Sequence, residues 1–155
     1  YDAGCYDLMA QDLFDQLNEE KRDLFFEEYP DREDEYDGDM HRVYDRYAGF
    51  QMDMTLNKAA DHRLEGAMAD DRIPGEGTIN DYLSVINYRR SASCLELYVR
   101  DCGDASEAFD KIKEKLDKRF QSKTDRKYSL EYYRSLGMAH REKDGKQYFV
   151  VILMR

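Results

Sequence analysis

The sequence predicts an α+β domain, a three-layer α-β-α sandwich around a small central antiparallel sheet. Residues 148–154 (YFVVILM) are apolar at every position, and a strand of that kind must be covered on both faces. Ahead of them come a short alternating run, residues 136–140, and the dipeptide Asp144-Gly145. That order is the pattern of a tight β-hairpin. Most of the remaining chain is patterned as helix, which supplies a layer for each side of the sheet.

The elements follow in chain order. Residues 7–25 form a first helix, with Met9, Leu13, Leu17 and Leu24 down one side. Pro30 stops it, and residues 31–39 (DREDEYDGD) read as a charged loop. Glu33, Glu35 and Asp37 alternate there ahead of Gly38, in partial imitation of a calcium loop. The position that needs a bidentate Glu holds Tyr44 instead, so a solvated turn is the expectation. Met40, Val43, Tyr44, Tyr47 and Phe50 then line a short amphipathic helix that stops near Gly49.

Residues 56–88 organise the rest. Leu56, Ala59, Ala60, Leu64, Ala67 and Met68 make a narrow helical stripe, and its two adjacent alanines allow close approach to another layer. Pro74, Gly75 and Gly77 break that helix. Thr78 is placed to cap a second one, with Ile79, Tyr82, Leu83 and Ile86 on one face. Residues 94–100 (CLELYVR) read as a strand ended by Gly103. Asp104 with Glu107 three residues on opens a last helix, whose buried face is Phe109, Ile112, Leu116 and Phe120.

At 155 residues the chain is expected to be one domain, with residues 1–50 an acidic helical segment of the same body as residues 51–155. Residues 1–53 carry 17 acidic against 5 basic side chains, and the remainder 17 against 19. An acidic front third argues against nucleic acid, whose binding rests on cationic contacts, and against anionic membrane surfaces. No apolar run is long enough for a transmembrane helix. The chain begins at Tyr1 rather than Met, as expected of a processed product or a trimmed piece, in which any signal peptide would be missing.

Cys94 and Cys102 are placed to bridge a bend or to remain free thiols, with Cys5 left over. His41, His62 and His140 read as surface residues, and the 13 tyrosines as half-buried packing groups in place of Trp. No Ser sits in a nucleophile motif, and no His lies usefully near a Cys.

Several segments carry a resemblance. Leu56-x-x-Ala59-Ala60-x-x-Arg63, followed by a Pro/Gly loop and a short helix ending at Tyr88, resembles the CAP superfamily. That family holds the cysteine-rich secretory proteins, antigen 5 and the pathogenesis-related proteins, with many bacterial relatives. Residues 93–96 (SCLE) resemble its Gly-Glu-Asn strand, and residues 122–126 (SKTDR) its Ser-Pro-Gly-His-Arg segment. Residues 136–139 (LGMA), with the hairpin and final strand, resemble its Gly-Val-Gly and closing strand. The likeness spans residues 52–154.

The resemblance implies a three-layer sandwich and an extracellular or cell-surface location. It also implies a cleft lined by Asp71, Glu96, Asp125 and Arg126. The family's two cleft histidines are replaced here by acidic residues, Asp70 or Asp71 and Asp125, which removes imidazole-based zinc binding. The cleft is therefore expected to be degenerate, with no catalytic residue, resident metal or cofactor. Its implied role is a non-enzymatic binding module for an extracellular protein, glycan or lipid. The alternative is a hydrolase or other cleft enzyme using the carboxylates with calcium or magnesium.

Overall fold

The computed structural model describes residues 7–29, 48–70, 78–86, 88, 93–120 and 127–155. It is a mixed α/β fold. Among the described residues, four α-helices flank a four-stranded sheet. They are α1 (Leu8–Glu28), α2 (Met54–Asp70), α3 (Ile79–Val85) and α4 (Ala105–Arg119). The strands are β1 (Gln51–Met52), β2 (Cys94–Cys102), β3 (Ser135–Lys143) and β4 (Lys146–Met154), in the spatial order β1-β3-β4-β2. A 3-10 turn, Leu130–Tyr132, precedes β3.

The hairpin forms as its sequence dictates. Asp144 and Gly145 both take positive φ, 53° and 76°, the backbone that a two-residue loop between twisted strands requires. β3 and β4 pair antiparallel from Lys143↔Lys146 to Ser135↔Met154. On its other edge β4 pairs antiparallel with β2, from Cys94↔Met154 to Cys102↔Gln147. β4 is thus interior, and residues 149–154 are all fully buried. The register of β2 slips between Val99 and Cys102, where Asp101 adopts φ 57°. Asp is among the few side chains that tolerate that left-handed backbone.

Side chains alternate across the sheet, so its two faces feed two cores. Leu97, Val99, Met138, Phe149, Val151 and Leu153 cluster with Ala10, Leu13, Phe14 and Leu17 of α1 and Ala105, Ala108, Ile112 and Leu116 of α4. Tyr98, Ala139, Val150, Ile152 and Met154 cluster with Leu56, Ala59, Ala60, Leu64 and Ala67 of α2 and Ile79 and Leu83 of α3. α1 therefore shares a core with the sheet, although it lies in the acidic front segment.

Local chemistry sets each helix end. The Asp7 side chain accepts from Ala10 N at α1. Asp53 Oδ1 accepts from Thr55 N and Leu56 N at α2. Thr78 and Asp81 close a reciprocal capping box at α3. Asp104 caps α4, while Glu107 reaches back to Gly103 N. Each such cap contributes about 1 kcal/mol.

The sheet is mixed rather than wholly antiparallel. β1 runs parallel to β3 for two residues, because α2 begins at Met54 and carries the chain over the sheet. Met138 N then donates to Asn57 Oδ1 at 2.9 Å instead of to a strand. This crossing needs Gly137: a Cβ there would lie 2.3 Å from Leu56 Cβ and 2.4 Å from its carbonyl carbon.

Other expectations shift as well. Cys94 and Cys102 are free and stand at opposite ends of β2. Their partners on β4, Met154 and Gln147, lie seven residue steps apart, so at about 3.3 Å per step the two cysteines are separated by about 23 Å, far beyond disulfide reach. The irregularity at Asp101 does not fold the strand back on itself. Phe120 lies past the end of α4 and is 40% exposed, while Ala105 and Ala108 complete the buried face in its place. On α1 the stripe is centred on Ala10, Leu13, Phe14, Leu17 and Lys21, with Met9 and Leu24 at its margins. Most of the short helix expected up to Phe50, the acidic loop at 31–39, Cys5 and His41 lie outside the described residues.

Candidate functional site

Of the four expected cleft residues, Glu96 is described; Asp71, Asp125 and Arg126 lie outside the described residues. Glu96 sits in β2 on the face covered by α2 and α3, between Cys94 and Tyr98, which belong to that core. Arg63 approaches from α2, one helical step beyond Leu56 and Ala60 on the same stripe. The small side chains of Ala59 and Ala60 bring the helix close to the sheet, within reach of a guanidinium.

Arg63 and Glu96 meet as a two-pronged ion pair. Arg63 Nε donates to Glu96 Oε2 at 2.7 Å, and Nη2 donates to Oε1 at 2.8 Å. The side chains are 4% and 14% exposed, so the pair is largely withdrawn from water. Fork geometry of this kind is among the strongest hydrogen-bonded arrangements a protein makes. The hydrogen bond to Glu96 raises the Arg63 pKa, opposed by burial and helped by the nearby charges of Glu96 and Asp81.

The surroundings are built from α3. Asp81 is held below the usual carboxylate range, first by its bond from Thr78 N, then by the Thr78 hydroxyl and by Arg63. Tyr82, one residue on, stacks on His62 of α2 with ring centroids 5.1 Å apart. Tyr88 donates a short hydrogen bond to Asp53 at the start of α2. The Cys94 thiol, two residues before Glu96, is pushed up to about 12 by burial and by the Glu96 charge. At neutral pH it stays a thiol, and the thiolate is the nucleophile.

The fork fixes Glu96 in place: each of its oxygens accepts one hydrogen bond from the buried Arg63. Sequence reasoning singled out Glu96 and missed its partner. A cation in register with an otherwise apolar helical stripe (Leu56, Ala60, Arg63, Ala67) was the available signal, since a buried charge needs a counter-charge.

His140 is not a surface residue. Its Nδ1 lies 2.7 Å from Asp7 Oδ2 and its Nε2 2.6 Å from Gln147 Oε1. The ring stacks on Phe149 at 4.7 Å. The end of α1 packs over β3 there and covers the imidazole, so the long-range packing of α1 hides what the local pattern leaves exposed. His62 is exposed, as its helical position implies.

No family model matches the chain, and no curated protein matches it at significance. Among the described residues, no helix is long and apolar enough to cross a membrane. No group of three or more His, Cys, Asp or Glu among them is arranged to hold a metal ion.

Proposed function

We propose that the chain is a divergent CAP-like domain, a three-layer α-β-α sandwich that works outside the cell or at its surface as a non-enzymatic binding module. Its ligand is a protein, glycan or lipid, taken up on the face around Glu96, with Asp71, Asp125 and Arg126 as further contacts. The order of helices and strands and the helices on both sheet faces support the sandwich reading. The extracellular placement rests on the sequence resemblance.

One observation carries the non-enzymatic part. Each oxygen of Glu96 accepts a hydrogen bond from the largely buried Arg63, which supports reading the one cleft acid kept from the resembled pattern as a structural anchor. General acid–base chemistry needs a carboxyl within reach of substrate and able to exchange a proton. Assays of ester, peptide and glycoside hydrolysis, each with calcium, magnesium or chelator, test the reading. No turnover above background is expected in any condition. A cation-dependent turnover that disappears in E96Q would overturn it and establish the carboxylate-dependent hydrolase instead.

A further inference from the structure

A second polar site lies on the α1 side of the molecule. Glu28 and Tyr29 at the end of α1, Glu131 and Tyr132 of the 3-10 turn, Arg134 and Arg155 line a cavity of about 280 Å³. That is the lower end of the range for small-molecule pockets, a size for metabolites rather than for larger ligands.

The two arginines stand together by construction. Arg134 precedes and Arg155 follows the terminal Ser135↔Met154 pair of the β3–β4 ladder. Their backbones are pinned: Arg134 N donates to Met154 O at 3.0 Å, and Arg155 N to Ser93 O at 3.0 Å. Like charges placed next to each other across strands repel, and no carboxylate among the described residues is within ion-pair distance of Arg134. Lys21 lies close enough behind them that Arg134, after burial, helps to disfavour its charged form.

Aromatic walls complete the cavity. Tyr29 packs on Phe25 with centroids 5.1 Å apart. Tyr132 packs edge-on against buried Tyr133 at 5.0 Å, and the Arg155 guanidinium covers its ring at 4.3 Å. Tyr133 fixes the turn by donating to Lys127 O at 2.7 Å. The walls are therefore held in place before any ligand arrives, which lowers the entropic cost of binding.

We infer that this cavity binds a free α-amino acid: its carboxylate lies between Arg134 and Arg155, its ammonium faces Glu28 and Glu131, and its side chain rests against Tyr29 and Tyr132. A lining that carries both signs of charge at one end of the sheet suits a zwitterion better than a simple anion, which the two glutamates would repel. The site is separate from the Arg63–Glu96 face, and it stands whether or not the CAP-like reading does.

The test is NMR titration of the isotope-labelled protein with L-phenylalanine and its two half-charged analogues, 3-phenylpropionate and phenethylamine. L-Phenylalanine is expected to move the resonances of Tyr29, Tyr132, Arg134 and Arg155, and each analogue to bind roughly tenfold more weakly or worse. R134A, which removes no ion pair among the described residues, should fold and bind L-phenylalanine roughly tenfold more weakly. E131Q should narrow the preference for the zwitterion over 3-phenylpropionate. Equal binding of 3-phenylpropionate and L-phenylalanine overturns the inference, as does an undiminished affinity in R134A. Shifts confined to other parts of the molecule, or none at all, also overturn it.

Discussion

Removing one arm of the Arg63–Glu96 fork should cost far more than removing both. In R63M the Glu96 carboxylate stays in β2 at 14% exposure without its two charge-assisted donors. Breaking a buried pair from one side costs about 3–5 kcal/mol; the residual exposure of Glu96 places this case near 3. For a domain of this size each 1 kcal/mol lowers the melting temperature by about 2–4 °C, so R63M should melt about 6–12 °C below the parent. E96L takes the Glu96 fork from Arg63 at 4% exposure, but Arg63 keeps other interactions and Asp81 still favours the guanidinium charge, so its loss should be the smaller. In R63M/E96L both charges are gone and apolar groups fill the space, a replacement that is often neutral. The double variant should therefore lie within about 1 kcal/mol of the parent, with a coupling energy of several kcal/mol. Urea denaturation at pH 7 reads all four proteins. Single losses below about 1 kcal/mol that simply add would mean a water-exposed pair of small worth. Glu96 would then be free for chemistry, and the case for a structural anchor would fail.

Three further outcomes are expected. V151D places a carboxylate at a fully buried position of β4 between α1 and α4, a loss of several kcal/mol; a melting temperature within a few degrees of the parent would refute the interior placement of that strand. Cys94, with its pKa pushed up to about 12, and the buried Cys102 should react with a thiol reagent at pH 8 only after denaturation, and rapid labelling of either in the folded protein would contradict their burial. Lys21 is lowered to about 8 by burial and by Arg134, so above pH 8 the unfolded chain binds the proton that the folded one has lost, and this residue's contribution makes stability rise with pH. The stability of the parent relative to K21M should accordingly climb between pH 8 and 9, below the window in which Cys94 acts in the opposite sense. A flat difference would mean that Lys21 keeps its charge when folded.

Much of the fold was legible because local rules decided it. The capping residues Thr78 and Asp104, the Asp144-Gly145 turn and the all-apolar run into Met154 each fix a boundary or a burial from their own few residues. The long-range choices were not legible. Nothing near residue 51 shows that its two-residue strand runs parallel to β3. That direction follows from α2 crossing the sheet over Gly137, a contact between residues 81 apart in sequence, like the bond from Met138 N to Asn57. The two cysteines looked close enough to bridge because they lie only eight positions apart, and only an extended strand makes that separation large.

The candidate site was half legible for a related reason. Glu96 stood out as a site residue through its likeness to the strand glutamate of the resembled pattern, and a charge buried in a strand is also costly. The same cost requires a partner, and in this fold the partner comes from the layer above, not from the neighbouring chain. Arg63 falls in register with Leu56 and Ala60, so the stripe that builds the core also delivers the counter-charge, and the two small residues beside it set the distance. His140 obeys the same logic: on β3 alone it looks like a strand-end residue, but Asp7 reaches it from the cap of α1. In both places a polar side chain whose surroundings cannot be read from its own strand is held by a second element in three dimensions. A functional reading of any acid or imidazole in this chain therefore has to begin with what already occupies its polar atoms.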